Sequence, residues 1–182
     1  ITQYDGLGLV NAPTLPLVAL PTTAGTASEV TSFTIITDTV RKKKMVIGGP
    51  NVGADMALLD PELTVGLPPD ITASTGMDAL THAIEAYVSK GAMVPTDVNA
   101  VKAIELIAQY IKRANEDGTD REARENMLLG SMLAGFAFNS AVLGLVHSIA
   151  HPLSVHCGLP HGVANACVLP YVMAYNAPAV PE

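Results

Sequence analysis

The hydrophobic and polar positions of the chain follow two different patterns, which meet near residue 68. Before this point, four short segments of apolar or β-branched residues are bounded by Gly, Pro, Asn or Asp, which is typical of strands. They cover residues 15–21, 32–38, 44–49 and 56–60. After it, longer segments carry hydrophobic residues at helical spacing. This order predicts an α/β part followed by an all-helical part, with units at residues 1–68 and 69–182.

Four helices are predicted in the second unit. They cover residues 71–91, 98–111, 121–139 and 162–176. Gly76 is a candidate interruption of the first, Asp120 is the expected N-cap of the third, and Pro170 is expected to kink the fourth. A shorter helix is expected to end at Pro152, because the residue before a proline disfavours the helical conformation.

The bulk composition narrows the class of protein. The 182 residues are 49% hydrophobic, which is enough for a substantial core, and their formal net charge is −7. An acidic balance favours neither a nucleic acid nor a membrane surface as a partner. Cys157 and Cys167 match no CxxC pattern, and the sequence shows no signal-type or bilayer-spanning apolar segment. We therefore expect a cytoplasmic protein.

Two pairs of polar residues are spaced four apart, Asp78 with His82 and His147 with His151. Side chains four apart lie on one face of a helix, so such a pair can converge on one metal ion. The alternatives are an ordinary Asp–His pair on a helix surface and neutral core histidines that bind carbonyl groups. His161 lies elsewhere, in a turn that leads into the fourth helix. Because four of only five histidines fall within residues 147–161, we favour a metal site. Spacing alone leaves His147 and His151 equivalent.

A second polar segment, PTTAGTASEVTSFTIITD, covers residues 21–38 and follows an apolar strand. Small hydroxyl residues and a glycine at the end of a strand allow backbone and side-chain groups to approach a phosphate or a ribose. The segment matches neither GxGxxG nor GxxxxGK[ST], so a structural Thr-rich turn stays the alternative. Residues 41–44, Arg-Lys-Lys-Lys, are expected at a solvated hairpin tip, from which one lysine could reach a phosphate.

Three long segments resemble the iron-dependent, or group III, alcohol dehydrogenases of the lactaldehyde reductase and 1,3-propanediol dehydrogenase branch. They are PTTAGTASEVTSFTIITD, DPELTVGLPPDITASTGMDALTHAIEAYVS and GLVHSIAHPLSVHCGLPHGVANACVLPYVMAYN. The resemblance implies a divalent metal bound by Asp78, His82, His147 and His161, with His151 as a proton carrier. It assigns no role to His156. It also implies nicotinamide dinucleotide contacts from the TTAGT turn and two further positions: Thr22, Thr23, Gly25, Thr26, Thr31 and Lys44.

The chain departs from that family in length. Family members are roughly twice as long, and a strand with a Gly-Gly-Gly-Ser phosphate-binding turn precedes the segment where this chain begins. The resemblance therefore implies an internal portion of such an enzyme. Its fold would be the C-terminal part of a Rossmann-like dinucleotide-binding domain (residues 1–68), joined to the first helices of a helical metal-binding domain (residues 69–182).

The implied function is hydride transfer between NAD(H) and a small primary alcohol or aldehyde, of the lactaldehyde, propanediol or short-chain alcohol type. NADP(H) stays an open alternative. The implied metal is Fe(II), with Zn(II) as the second candidate, since three histidines and an aspartate suit both ions. The full-length enzyme is expected to be a homo-oligomer, a dimer or higher. The rival functions are a non-catalytic fragment of such an enzyme and a lyase of the dehydroquinate-synthase type.

Overall fold

The structure, a computed structural model, describes residues 1–180. Short strands occupy its first third and long helices the remainder. The strands are β1 (Gly6–Leu7), β2 (Val18–Ala19), β3 (Phe33–Asp38), β4 (Lys43–Gly48) and β5 (Met56–Ala57). The helices are α1 (Pro69–Tyr87), α2 (Val94–Glu116), α3 (Arg121–Ala141), α4 (Leu145–Cys157) and α5 (His161–Asn176). This order confirms the predicted fold class.

The strands form two small sheets. In the first, β4 lies between β1, which is parallel to it, and β3, which is antiparallel to it. The second sheet pairs β2 with β5 in parallel. The predicted strands at 32–38 and 44–49 are confirmed to within a residue or two, whereas the segments 15–21 and 56–60 form only two paired residues each. Pro16 and Pro21 flank β2 and cannot donate to a ladder, which restricts the pairing to the residues between them.

Helices α1, α2 and α3 pack into a bundle around a core of alanines with Leu106, Ile107 and Met127. The candidate interruption at Gly76 is wrong, because α1 is continuous there. A Cβ at Gly76 would lie 2.8 Å from side-chain atoms of Ile111 and Met127, so this glycine allows α1 to approach α2 and α3 closely. Asp120 caps α3 as predicted, since its side chain accepts the Ala123 N–H at 3.0 Å.

Helices α4 and α5 pack on one side of α1. Residues Val146, Leu169 and Val172 form the small apolar cluster that joins them to α1. The predicted end at Pro152 is wrong: α4 continues to Cys157, and Gly158 then ends it in the left-handed conformation with φ 68°. Proline removes one helical hydrogen bond to the Ser148 carbonyl, but both residues are exposed, so water can satisfy that carbonyl.

Within residues 1–180, no single helix is long and apolar enough to cross a bilayer. Helices α3 and α4 reach the required length and hydropathy only when they are taken together across a bend of 107°. The proposed division at residues 68 and 69 stays a prediction, although α1 begins at Pro69. Residues 181 and 182 of the second predicted unit lie outside the described part of the chain.

Candidate metal centre

The four residues predicted to bind a metal come from three helices and meet in one place. Asp78 and His82 lie one turn apart on α1, His147 lies in the first turn of α4, and His161 begins α5. The Nε2 atoms of His82, His147 and His161 lie 3.7, 3.5 and 3.6 Å from Asp78 Oδ1. Ligand atoms of Asp78, His147 and His161 all lie within 4.8 Å of one another, and His82 joins them through its 3.7 Å approach to Asp78.

Gly162 allows His161 to reach the centre. A Cβ atom at this position would lie 1.8 Å from the backbone oxygen of Ser74, so only glycine lets the start of α5 lie directly on the backbone of α1. Pro160 precedes the helix and fixes its entry. The sequence PHG therefore places the ring of His161 one turn along α1 from Ser74, beside Asp78.

Hydrogen bonds fix the ring tautomers of two histidines. The Nδ1 atom of His82 lies 3.2 Å from the carbonyl oxygen of Gly25, and that of His147 lies 2.6 Å from Glu85 Oε2. Both partner atoms only accept, so each Nδ1 carries the hydrogen and each Nε2 presents a lone pair toward Asp78.

The side-chain amide of Asn165 supports the same orientation. Its Nδ2 donates to Asp78 Oδ1 at 2.6 Å and lies 3.2 and 3.3 Å from the Nε2 atoms of His147 and His161. The amide has two hydrogens, one of which is donated to Asp78, so the other can be donated to only one of the two imidazole nitrogens at a time. Three ring nitrogens and a carboxylate oxygen therefore converge, and the tautomers of His82 and His147 direct two of the nitrogen lone pairs inward.

The electrostatics of the centre keep Asp78 charged and most of the rings neutral. Burial would raise the pKa of Asp78, but the surrounding imidazoles, His82 first, hold it well below its usual range. Burial lowers the pKa of His82 and of His161 to about 4, with Asp78 opposing the shift. For His147, burial acts downward, but the nearby carboxylates of Asp78 and Glu85 outweigh it and raise its pKa.

These residues fit a divalent metal ion. Neutral imidazole nitrogens and a carboxylate oxygen are ligands shared by Fe(II) and Zn(II). Asp78, His82 and His147 are no more than 5% exposed, and the two hydrogens of the Asn165 amide cannot satisfy all of these buried acceptors, so a cation between them would be stabilising. Two buried carboxylates, Asp78 and Glu85, also balance the charge of a divalent ion.

The centre opens into a cavity of about 820 Å³ between the strands and the helices. Of the residues predicted to contact a dinucleotide, Thr26, Thr31 and Lys44 line this cavity. Thr22, Thr23 and Gly25 lie outside its lining in the described chain. A Cβ at Gly25 would lie 2.8 Å from the Cβ of Thr75 on α1, and the carbonyl of Gly25 binds His82.

His151 lies beside the ligand group on the cavity side. Its ring centroid is 5.9 Å from that of His147 and 5.1 Å from that of His161, and the residue lines the cavity. Burial and the positive charge of Lys44 lower the pKa of His151 to about 4, so its ring is neutral at neutral pH. His156 is exposed near the end of α4.

Sequence reasoning missed three residues of the centre. Glu85 lies seven positions after Asp78, and Asn165 four positions after His161, which are helical spacings that place each on the same face as a predicted ligand. Phe138 stacks on the His82 ring with centroids 4.4 Å apart. The helical spacing could have nominated Glu85 and Asn165, but nothing in the sequence near Phe138 points to His82.

Comparison with known proteins identifies the same family as the sequence motifs. The sequence model of the Fe-containing alcohol dehydrogenase family, C-terminal part, matches residues 72–182, and that of the iron-containing alcohol dehydrogenases matches residues 2–61. An NAD-dependent methanol dehydrogenase of Bacillus methanolicus is 47% identical over 182 residues, which are 100% of this chain and 48% of that protein. A 1,3-propanediol dehydrogenase of Klebsiella pneumoniae is 50% identical over 180 residues, 99% of this chain and 46% of that protein.

A crystal structure of a 1,3-propanediol oxidoreductase superposes with a TM-score of 0.95 at 49% identity, over 99% of this chain and 47% of that one. The chain thus spans about half the length of the relatives that it matches. Because one family match alone covers residues 72–182, more than half of the sequence, the chain belongs to the iron-containing alcohol dehydrogenase family.

Proposed function

We propose that this chain forms the metal-binding and part of the cofactor-binding region of an oxidoreductase that transfers a hydride between NAD(H) and a small primary alcohol or aldehyde. The observation that carries the proposal is the convergence of Asp78, His82, His147 and His161 at one end of a cavity. The similarity to an NAD-dependent methanol dehydrogenase and to 1,3-propanediol dehydrogenases supports the reaction class.

A divalent ion held by the four ligands would supply Lewis-acid polarisation of the substrate oxygen, and a nicotinamide cofactor would accept or supply the hydride. The chain's own contribution is to hold the reactants together and to exclude water. Phe138, Val142 and Leu143 provide apolar cavity wall near the ligands, which suits a short aliphatic substrate.

The polar wall of the cavity faces the strands. The Thr26 and Thr31 side chains can donate to phosphate or ribose oxygens, and Lys44 supplies the nearby positive charge. Burial lowers the pKa of Lys44, while Asp78 opposes this shift. An anionic cofactor would be bound on this side of the cavity.

We assign proton transfer to His151. Its neutral ring can accept the proton of an alcohol hydroxyl, and its half-buried position on the cavity wall gives a path to solvent. In aldehyde reduction the same ring would relay a proton in the opposite direction.

Elemental analysis and an NADH assay test the proposal together. The protein, with any sequence that flanks this chain in its gene, is purified without added metal and assayed with NADH and short aldehydes. We expect one equivalent of Fe(II) or Zn(II) and aldehyde-dependent loss of NADH. His161→Ala should lose both, whereas His156→Ala, which alters an exposed histidine on the same segment, should keep both.

Other outcomes separate the rival functions. A wild-type protein without stoichiometric metal, or a His161→Ala variant that keeps it, would refute the ligand set. Metal binding without NADH turnover would support the non-catalytic alternative, and cyclisation of a sugar-acid phosphate would support the lyase. NADP(H) use, cytoplasmic location and homo-oligomer formation stay predictions.

A further inference from the structure

We propose that Glu85 is a positioning residue of the metal centre, which fixes both the tautomer and the place of His147 by binding that ring and the start of α4 with one carboxylate. The inference rests on the proposed metal site. It concerns a residue that the family motifs quoted above do not single out.

The two oxygens of Glu85 have different partners. Oε2 lies 2.6 Å from His147 Nδ1, and Oε1 accepts the backbone N–H of Val146 at 2.6 Å. Both distances are those of short, charge-assisted hydrogen bonds. Glu85 is 3% exposed, so these contacts are made away from bulk water, where they are stronger.

The contact with Val146 anchors α4. The first N–H groups of a helix lack partners within the helix, and Gly144, the residue before α4, has no side chain with which to cap them. The carboxylate of Glu85, delivered from α1, takes that place. A Cβ at Gly144 would lie 2.9 Å from Glu85 Oε1, so glycine at this position makes room for the approach.

The contact with His147 sets the ring. A carboxylate only accepts, so it keeps the hydrogen on Nδ1 and leaves the Nε2 lone pair directed at Asp78, 3.5 Å away. Because Val146 and His147 are consecutive, one rigid carboxylate fixes the backbone and the ring at the same point. Outer-shell carboxylates on metal-binding histidines typically change metal affinity by about 10–100-fold.

Glu85→Gln tests the inference. The glutamine keeps the shape of the side chain, but its single oxygen can accept from only one of the two donors, and its NH₂ group cannot accept from His147 Nδ1. We expect the Kd for Zn(II), measured by competition with a chromophoric chelator, to rise about 10–100-fold. Glu85→Asp keeps the charge but shortens the reach, and should weaken Zn(II) binding in the same direction.

Asp120→Ala is the matched control. Asp120 caps α3 through the Ala123 N–H, far along the chain from the ligands, so this variant weakens a helix start without touching the centre. Its Zn(II) Kd should stay within about twofold of wild type. If Glu85 served only as a helix cap, the Glu85 variants and the Asp120 variant would have similar Kd values for Zn(II).

The outcomes are distinguishable from failure of the proposed function. If wild-type protein does not bind Zn(II), the metal site itself is refuted. If wild type binds and a folded Glu85 variant binds equally tightly, or if neither Glu85 variant folds while Asp120→Ala does, Glu85 is a structural cap and the inference is overturned.

Discussion

Gly162→Ala should disconnect His161 from the metal centre. The added Cβ would lie 1.8 Å from the backbone oxygen of Ser74, whereas real Cβ atoms essentially never come within 3.0 Å of such a neighbour. Neither partner can rotate away, because the contact is with backbone rather than with a flexible side chain. The start of α5 must therefore move away from α1.

The size of that movement decides the effect on metal binding. The difference between 3.0 and 1.8 Å requires a displacement of about 1.2 Å at the residue next to His161. Metal–ligand distances tolerate only about 0.2 Å. We therefore expect the Zn(II) Kd to rise more than about 100-fold, since outer-shell changes alone cost about 10–100-fold. Overpacking of this kind also costs about 1–3 kcal/mol of unfolding free energy.

Two glycine variants separate site displacement from general destabilisation. Gly130→Ala adds a Cβ 2.8 Å from the Ile107 side chain inside the helical bundle, on a helix that carries no proposed ligand. Gly66→Ala adds one where, apart from the adjoining residues of the chain, no atom of residues 1–180 lies within 4 Å. Chelator competition and chemical unfolding are measured on all three variants. A Gly162→Ala protein that binds Zn(II) within about twofold of wild type, or a Gly130→Ala protein that loses it equally, would refute the reasoning.

Three further predictions concern other parts of the chain. His151→Ala should keep its metal, by elemental analysis, while kcat for aldehyde reduction falls about 10²–10⁴-fold; loss of metal would make His151 a ligand instead. Burial raises the pKa of Glu29, so its contribution to stability is present below its unfolded pKa and is lost as pH rises through the higher folded value. The unfolding free energy of Glu29→Gln, measured by urea unfolding, should therefore increase relative to that of wild type between pH 4.5 and pH 8. A difference between the two proteins that does not change with pH would contradict this. Arg124→Met should lose about 2–4 kcal/mol of unfolding free energy in the same assay, because buried Arg124 donates to Thr72 Oγ1 and to two backbone carbonyls. Arg121→Ala, which alters an exposed arginine, should lose less than about 1 kcal/mol. Equal losses in the two variants would show that burial of the hydrogen bonds does not determine the effect.

Local patterns in the sequence predicted the elements that contain the candidate ligands. The spacing of Asp78 and His82 placed both on one helical face, and α1 holds them 3.7 Å apart, atom to atom. The long periodic helices were predicted with the correct type because their own residues determine their buried faces. Helix ends were less predictable: α2 begins at Val94, before the predicted residue 98, because Thr96 binds the Met93 backbone and extends the start.

Contacts between distant residues could not be predicted from local pattern. Spacing made His147 and His151 equivalent, but only His147 lies between Asp78 and Glu85, and Glu85 is 62 positions earlier in the chain. The resemblance separated the two histidines, whereas the bond from Glu85 depends on how α4 crosses α1. The predicted helix end at Pro152 was wrong for a related reason: the loss of one helical hydrogen bond costs little free energy where water can reach the freed carbonyl.

Because three helices supply the ligands, the metal site joins two groups of helices that differ in how firmly they are packed: a first tier, α1 to α3, and a second tier, α4 and α5. Helices α1, α2 and α3 share the main apolar core, whereas α4 and α5 join α1 mainly through the cluster of Val146, Leu169 and Val172. An ion bound by Asp78, His147 and His161 would tie the second tier to the first. Amide hydrogen exchange in α4 and α5 should then slow on metal loading by a larger factor than in α2 and α3. The exchange rates of these two helices would therefore report metal occupancy, because the bound ion suppresses their local unfolding.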